Sequence, residues 1–181
     1  MSKTKAKVII DEAVFEKIAS GDSEAMKELY EQSYKPIFAL LLSLTRNYED
    51  AEDLLQETFI KIGQGAHLYV SYGNPMAWMM KIARNIYISK KRTESKKSLV
   101  SLEELGCEIP FEQISRLEDR MAVENLFQIL DREERSIIVL HLMEGFKFKE
   151  IAQIVEKPLG TVLAKYNRGL KKMKKQSREE Q

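Results

Sequence analysis

A chain of 181 residues allows one medium domain or two small ones, and its apolar share is ordinary for a protein with a packed core. The single cysteine, Cys107, can form no internal disulfide and no zinc cluster of spaced cysteines, and a net charge of +1 neither requires nor excludes a nucleic-acid partner. Glycine and proline are sparse and few segments alternate like strands, so the expected fold is all-α.

The basic start gives way at Asp11-Glu12 before any signal-peptide core can form. The most apolar run, residues 37–44, is far short of the roughly 20 residues that span a bilayer. No membrane insertion is expected, and a cytoplasmic location is the default. Residues 11–20 predict a first helix, with Val14, Phe15 and Ile18 inward and Gly21 ending it. Asp22 or Ser23 caps a second helix running toward Thr45, and Pro36 inside it predicts a kink or joint. Ile37, Phe38, Leu40, Leu41, Leu42 and Leu44 are apolar nearly all round, as a central bundle helix requires.

After a turn at Asn47-Tyr48, residues 50–62 bury one helical face through Ala51, Leu54, Leu55, Phe59 and Ile62. Asp53, Gln56, Glu57 and Ile60 share another face, acidic and amide-bearing with an apolar end, which suits a partner. Complementing the helix dipole is the alternative use of Glu49, Asp50, Glu52 and Asp53, but it does not reach Gln56 or Glu57. Gly63-Gln64-Gly65 is expected to end this helix early. The loop over residues 66–74 holds His67, Tyr69 and Tyr72. Aromatic faces there either stack on unpaired bases, worth about 1–3 kcal/mol each, or pack the loop onto the bundle.

Asn74-Pro75 opens the next helix, whose apolar side carries Met76, Trp78, Met79, Ile82, Ile86 and Tyr87. Its polar side is basic, with Lys81, Arg84, Asn85, Lys90, Lys91 and Arg92. Trp78 reads as a core residue, and Lys81, Arg84 and Lys90 are placed to meet phosphates. Charge is thus segregated: residues 49–57 hold acids and no bases, whereas 81–97 and 165–175 are strongly basic.

From Thr93 to about Ser115 the pattern dissolves into a flexible linker, with a short helix expected over residues 101–105. Residues 117–130 resume helical spacing, and Asp131 with Glu134 forms a capping box for a helix that breaks at Gly145. Residues 148–155, the turn Glu156-Lys157-Pro158, and residues 159–173 have helix-turn-helix proportions. Phe148, Ile151, Ala152, Val155, Val162, Tyr166 and Leu170 form the inward face. Thr161, Leu163, Ala164, Lys165, Asn167, Arg168 and Lys171 are candidates for a major-groove side, the alternative being a hairpin with a solvated basic face. Leu163 there contacts thymine methyls, meets a protein, or extends the core. The tail, residues 171–181, is expected to fray. His67 and His141 sit in unrelated contexts, His141 reading as a packed residue, and no phosphate loop, metal-ligand spacing or nucleophile motif is present. No catalysis, cofactor or metal is expected.

The stretch Asp50-Ala51-Glu52-Asp53-Leu54-Leu55-Gln56-Glu57-Thr58-Phe59 resembles the second conserved region of bacterial RNA polymerase sigma factors, in particular the extracytoplasmic-function (group IV) class. Ala77-Trp78 followed by Ile82-Ala83-Arg84-Asn85 resembles that family's promoter-melting helix. Leu130-Asp131-Arg132-Glu133-Glu134-Arg135, Lys149-Glu150-Ile151-Ala152 and Gly160-Thr161-Val162 resemble its fourth region. The resemblance implies two small helical domains, a bundle over residues 1–94 and a helix-turn-helix unit over 116–181, joined by a linker over 95–115. It implies that Asp53, Gln56, Glu57 and Ile60 dock on core RNA polymerase. Tyr69, Tyr72, Trp78, Lys81, Arg84, Asn85 and Lys90 would bind and melt the downstream promoter element, with Asn85 contacting a base. The helix from Thr161 to Lys171 would read the duplex upstream element. The resemblance also implies an anti-sigma partner, as for many such proteins. Gly63, Gly65, Glu156 and Leu163 depart from the family's usual residues. Two other readings stand beside this one: a helix-turn-helix regulator that never binds polymerase, and a sigma-like interaction protein without promoter activity.

Overall fold

The computed structural model describes residues 9–71, 73–97 and 128–179. Every regular element among them is helical: α1 (Ala13–Ala19), α2 (Ser23–Thr45), α3 (Tyr48–Gly65), α4 (Pro75–Lys97), α5 (Arg132–Ile138), α6 (Phe148–Ile154) and α7 (Leu159–Glu179). A 3-10 turn, Ala66–Leu68, follows α3, and a π-helical turn, Val139–Met143, extends α5. Tyr72, the linker with Cys107 and its expected short helix, and residues 117–127 of the next expected helix lie outside the described residues. None of the described helices is long and apolar enough to cross a membrane.

Local chemistry starts α2, α4 and α5 where the sequence predicts, while α3 begins at Tyr48, inside the expected turn. Asp22 accepts from the backbone N–H groups of Glu24 and Ala25 and so caps α2. Asn47 does the same for α3 through Asp50 N–H at 3.0 Å, and Asn74 for α4 through Ala77 N–H at 3.1 Å. Asp131 and Glu134 close the expected capping box on α5. Gly21, with φ +91°, ends α1 in a conformation that a side chain would strain.

Three expected boundaries move. α2 passes through Pro36 without a joint, although the ring removes a backbone donor there. Pro36 itself is buried, and Ile37, Leu40, Leu41 and Leu44 beyond it are buried with it, so packing offsets the missing bond. α3 does not stop at Gly63 but continues through Gly65. Each glycine costs a helix about 1 kcal/mol, and burial of Ile62 and Ala66 on either side outweighs that. α4 likewise runs past Thr93 to Lys97.

The first four helices pack as a bundle around α2 and α3, whose Leu40, Leu41, Leu54 and Ile62 are among its most buried side chains. Buried hydroxyls on Ser43 and Thr58 donate back to the carbonyls of Leu40 and Leu54, each at 2.6 Å, so neither is left unsatisfied. Phe15, Tyr69 and Trp78 form a ring cluster, Tyr69 stacked on Phe15 at 4.2 Å between centroids, that ties α1 and the loop to α4.

The helix-turn-helix unit lies against this bundle, α5 on α2 and α6 on α4, and the buried apolar side chains form one continuous cluster. Arg135 of α5 is 1% exposed; its Nε donates to the Ser43 carbonyl of α2 at 2.8 Å. Ser43 belongs to the last turn of α2, where carbonyls lack intrahelical partners and a cation is favoured. Arg135→Ala should therefore lower the free energy of unfolding by about 2–5 kcal/mol, the range for emptying a buried site. Denaturant titration followed by circular dichroism measures this.

Candidate polymerase and nucleic-acid interface

On α3 the apolar stripe Ala51, Leu54, Leu55, Phe59 and Ile62 is buried, which leaves Asp53, Gln56, Glu57 and Ile60 exposed together on the opposite side. Ile60 is 59% exposed, and Tyr30 of α2, whose ring meets Phe59 at 4.7 Å, is a second exposed apolar group nearby. An acidic face with solvent-exposed apolar members suits a protein partner bearing cations around an apolar patch.

Along α4, Lys81 and Asn85 are exposed, while Arg84 and Lys90 are half-buried. Lys90 pairs with Asp50 of α3 at 3.2 Å. Trp78 and Tyr69 are both partly buried and committed to the ring cluster with Phe15, the packing alternative for the loop tyrosine.

In α7, Leu163, Ala164, Asn167, Arg168 and Lys171 are exposed along one side. Val162 is buried against the unit's core, and Tyr166 packs beside Phe148. Gly169 faces α5: a Cβ there would lie 2.6 Å from Ile138 Cδ1, so the absence of a side chain lets the two helices approach. Thr161 and Lys165 flank the exposed side. Lys165 turns toward the start of α5, 3.0 Å from Glu133 and 3.5 Å from Asp131. Lys172 donates to the fully buried Glu134 at 2.6 Å. His141 accepts its packed role, with Nδ1 2.9 Å from the Phe146 carbonyl and its ring stacked on Phe148.

Local pattern did not disclose four groups that the fold brings to the seam between the bundle and the helix-turn-helix unit. Glu156 lies 2.8 Å from Lys81 and 3.9 Å from Arg84. Asn74 Nδ2 donates to Glu150 at 2.7 Å, across 76 positions of chain. Arg132 lies over the Tyr87 ring, and Arg135 reaches α2. Separations this long leave no periodic signal; the one hint was Glu156 itself, a departure from the family's usual residue in the turn.

Sequence profiles for Sigma-70 region 2 and Sigma-70, region 4, match residues 29–97 and 120–173. The ECF RNA polymerase sigma factor SigE of Mycolicibacterium smegmatis is 30% identical over 171 residues, covering 90% of this chain and 65% of that protein. SigW of Bacillus subtilis, another ECF RNA polymerase sigma factor, is 24% identical over 175 residues, 90% of this chain and 94% of that one. Among solved structures, the sigma factor RpoE in complex with the anti-sigma factor NepR from Bartonella quintana superposes with a TM-score of 0.71 at 24% identity, covering 82% of this chain and 94% of that one. CnrH, solved with the cytosolic domain of CnrY, gives 0.68 at 18% identity over 94% and 99%. These two share the fold. The chain belongs to the sigma-70 family of RNA polymerase sigma factors, in its extracytoplasmic-function class.

The acids at the seam are tuned by their neighbours. Partial burial opposes the charged form of Glu133, but hydrogen bonds from Lys165 and Lys157 outweigh it and hold the carboxyl below its ordinary range. Asp131 is depressed too, its burial outweighed by the Glu134 backbone N–H and by Lys165. A hydrogen bond from Lys81, together with that cation's charge, lowers Glu156. Depressed carboxylates add stability above their ordinary pKa and lose it as pH falls through the lowered folded value. Thermal unfolding should therefore show stability dropping as pH goes below about 4, and Glu133→Gln should flatten that drop.

Proposed function

We propose that this chain binds core RNA polymerase and directs promoter-specific initiation of transcription, with the nucleotide chemistry left to the polymerase in the cytoplasm. The observation that carries this reading is the occurrence of sigma regions 2 and 4 in order on one chain, the region 2 docking helix keeping Asp53, Gln56, Glu57 and Ile60 exposed. Residues 1–94 act as the docking and melting unit, 95–115 as the linker, and 116–181 as the reader of the upstream element. Asn85 contacts a base of the melted strand, with Lys81, Arg84 and Lys90 holding its phosphates and Tyr69 and Trp78 shaping the platform behind them. Leu163, Ala164, Asn167, Arg168 and Lys171 enter the major groove, with Thr161 and Lys165 at its edge. An anti-sigma partner fits the same reading, since both fold neighbours were solved with such a protein or a cytosolic partner domain.

Purified protein added to sigma-free core polymerase on fragmented host DNA should yield specific run-off transcripts. Glu57→Lys should reduce core binding and transcript yield by about tenfold or more, the scale of a reversed interface charge, while leaving the helical spectrum intact. Leu163→Ala should leave core binding unchanged and redistribute the transcripts among start sites. Absence of core binding by the wild-type chain would overturn the assignment.

A further inference from the structure

α7 carries cations on more than one side. Arg168 and Lys171 face solvent beside Leu163, Ala164 and Asn167, and the Arg168 side chain is 60% exposed. Lys165 and Lys172 turn the other way, onto the acids that open α5. Lys165 lies 3.0 Å from Glu133 and 3.5 Å from Asp131, with only 20% of its side chain exposed. Lys157, in the turn before α7, reaches the same Glu133 at 3.2 Å. Two lysines from different segments thus converge on one carboxylate.

Helix capping accounts for part of this cluster. Asp131 accepts from the Glu134 backbone N–H, and an acid in the first turn of α5 suits the helix dipole. Neither duty calls for lysines from two other segments. Burial opposes the charge of Lys165, yet Glu133 and Asp131 outweigh it and raise its pKa, so the lysine stays cationic at neutral pH.

A helix about 10–12 Å across fills a major groove about 12 Å wide, so cations on its flanks pass close to phosphates. A free lysine on such a flank adds a phosphate contact, which strengthens binding without reading sequence. Lys165 occupies a flank of this kind, but its charge is already engaged inside the unit.

We propose that Asp131 and Glu133 are positioning residues that sharpen the choice of upstream element: they hold Lys165, with Lys157 beside it, against α5 and off the DNA backbone. Recognition then falls to the outward row from Leu163 to Lys171. On DNA of the wrong sequence no base contact fixes α7, so it settles wherever its free cations meet most phosphates. On its own element the base contacts fix it, and a freed Lys165 gains less. The proposal rests on the reading of α7 as the upstream-element helix.

The protein reconstituted with core polymerase provides the test, on a promoter duplex recovered by run-off transcription and on a scrambled duplex of the same composition. Affinities are measured between about 0.05 and 0.2 M salt, with core polymerase alone as background. Asp131→Asn with Glu133→Gln removes both charges and keeps a capping oxygen on α5. This variant should bind the scrambled duplex about two- to fivefold more tightly at low salt, the worth of exposed ion pairs. Its log affinity should fall more steeply with log salt, by about 0.9 for each lysine that reaches a phosphate. Preference for the promoter over the scrambled duplex should drop by a similar factor. Lys165→Met added to this variant should remove most of the gain. In the wild-type background, Lys171→Met calibrates the scale by lowering the slope by about 0.9. Circular dichroism checks that each variant keeps its helices.

An unchanged slope and preference in the acid-free variant would overturn the proposal. So would a gain that survives Lys165→Met, since the acids would then act only by repelling phosphates. Equal wild-type affinity for the two duplexes would instead remove the upstream-element reading, and this proposal with it.

Discussion

A guanidinium buried at the end of α2 sets the relation between the two halves of this protein. The last turn of any helix leaves carbonyls without partners, and burial makes those groups expensive to leave bare. In α2 the chain closes one of them itself, as Arg46 turns left-handed and its N–H returns to the Leu42 carbonyl. Another, on Ser43, is met by Arg135 from 92 positions further along. Arg135 also donates to the Leu130 carbonyl just before α5, so a single side chain joins the end of the bundle's central helix to the entry of the helix-turn-helix unit. α6 packs on α4 beside that anchor, with Asn74 bonded to Glu150.

Charge organises the rest. The acids of α3 face outward, apart from Asp50, which pairs with Lys90 on α4. The acids of α5 face α7 instead: Glu133 gathers Lys157 and Lys165, while the buried Glu134 receives Lys172. These pairs hold α7 at its angle and withdraw Lys165 toward α5, and the outward row from Leu163 to Lys171 remains available. The acids of the turn and of α6, Glu156 and Glu150, face α4.

The same protein therefore presents its two proposed working faces in different states. The acidic face of α3 stays open while α6 packs against α4. The α4 face is partly occupied by the chain itself.

Much of the architecture was legible in the residues because the forces that set it act within one or two helical turns. Apolar spacing marked the buried stripe of α3 and, by remainder, its exposed face; Asp22, Asn74 and Asp131 marked helix starts through bonds two or three residues long. Single-residue signals were overridden wherever burial was greater than their cost, as at Pro36, Gly63 and Gly65. Residue order alone set out the helices, their faces and the family motifs they carry. It was packing that buried Arg135 against Ser43 and brought Glu156 to Lys81 and Arg84. Contacts of that kind join residues dozens of positions apart, and no local periodicity records which of many surface charges the packing will bring together.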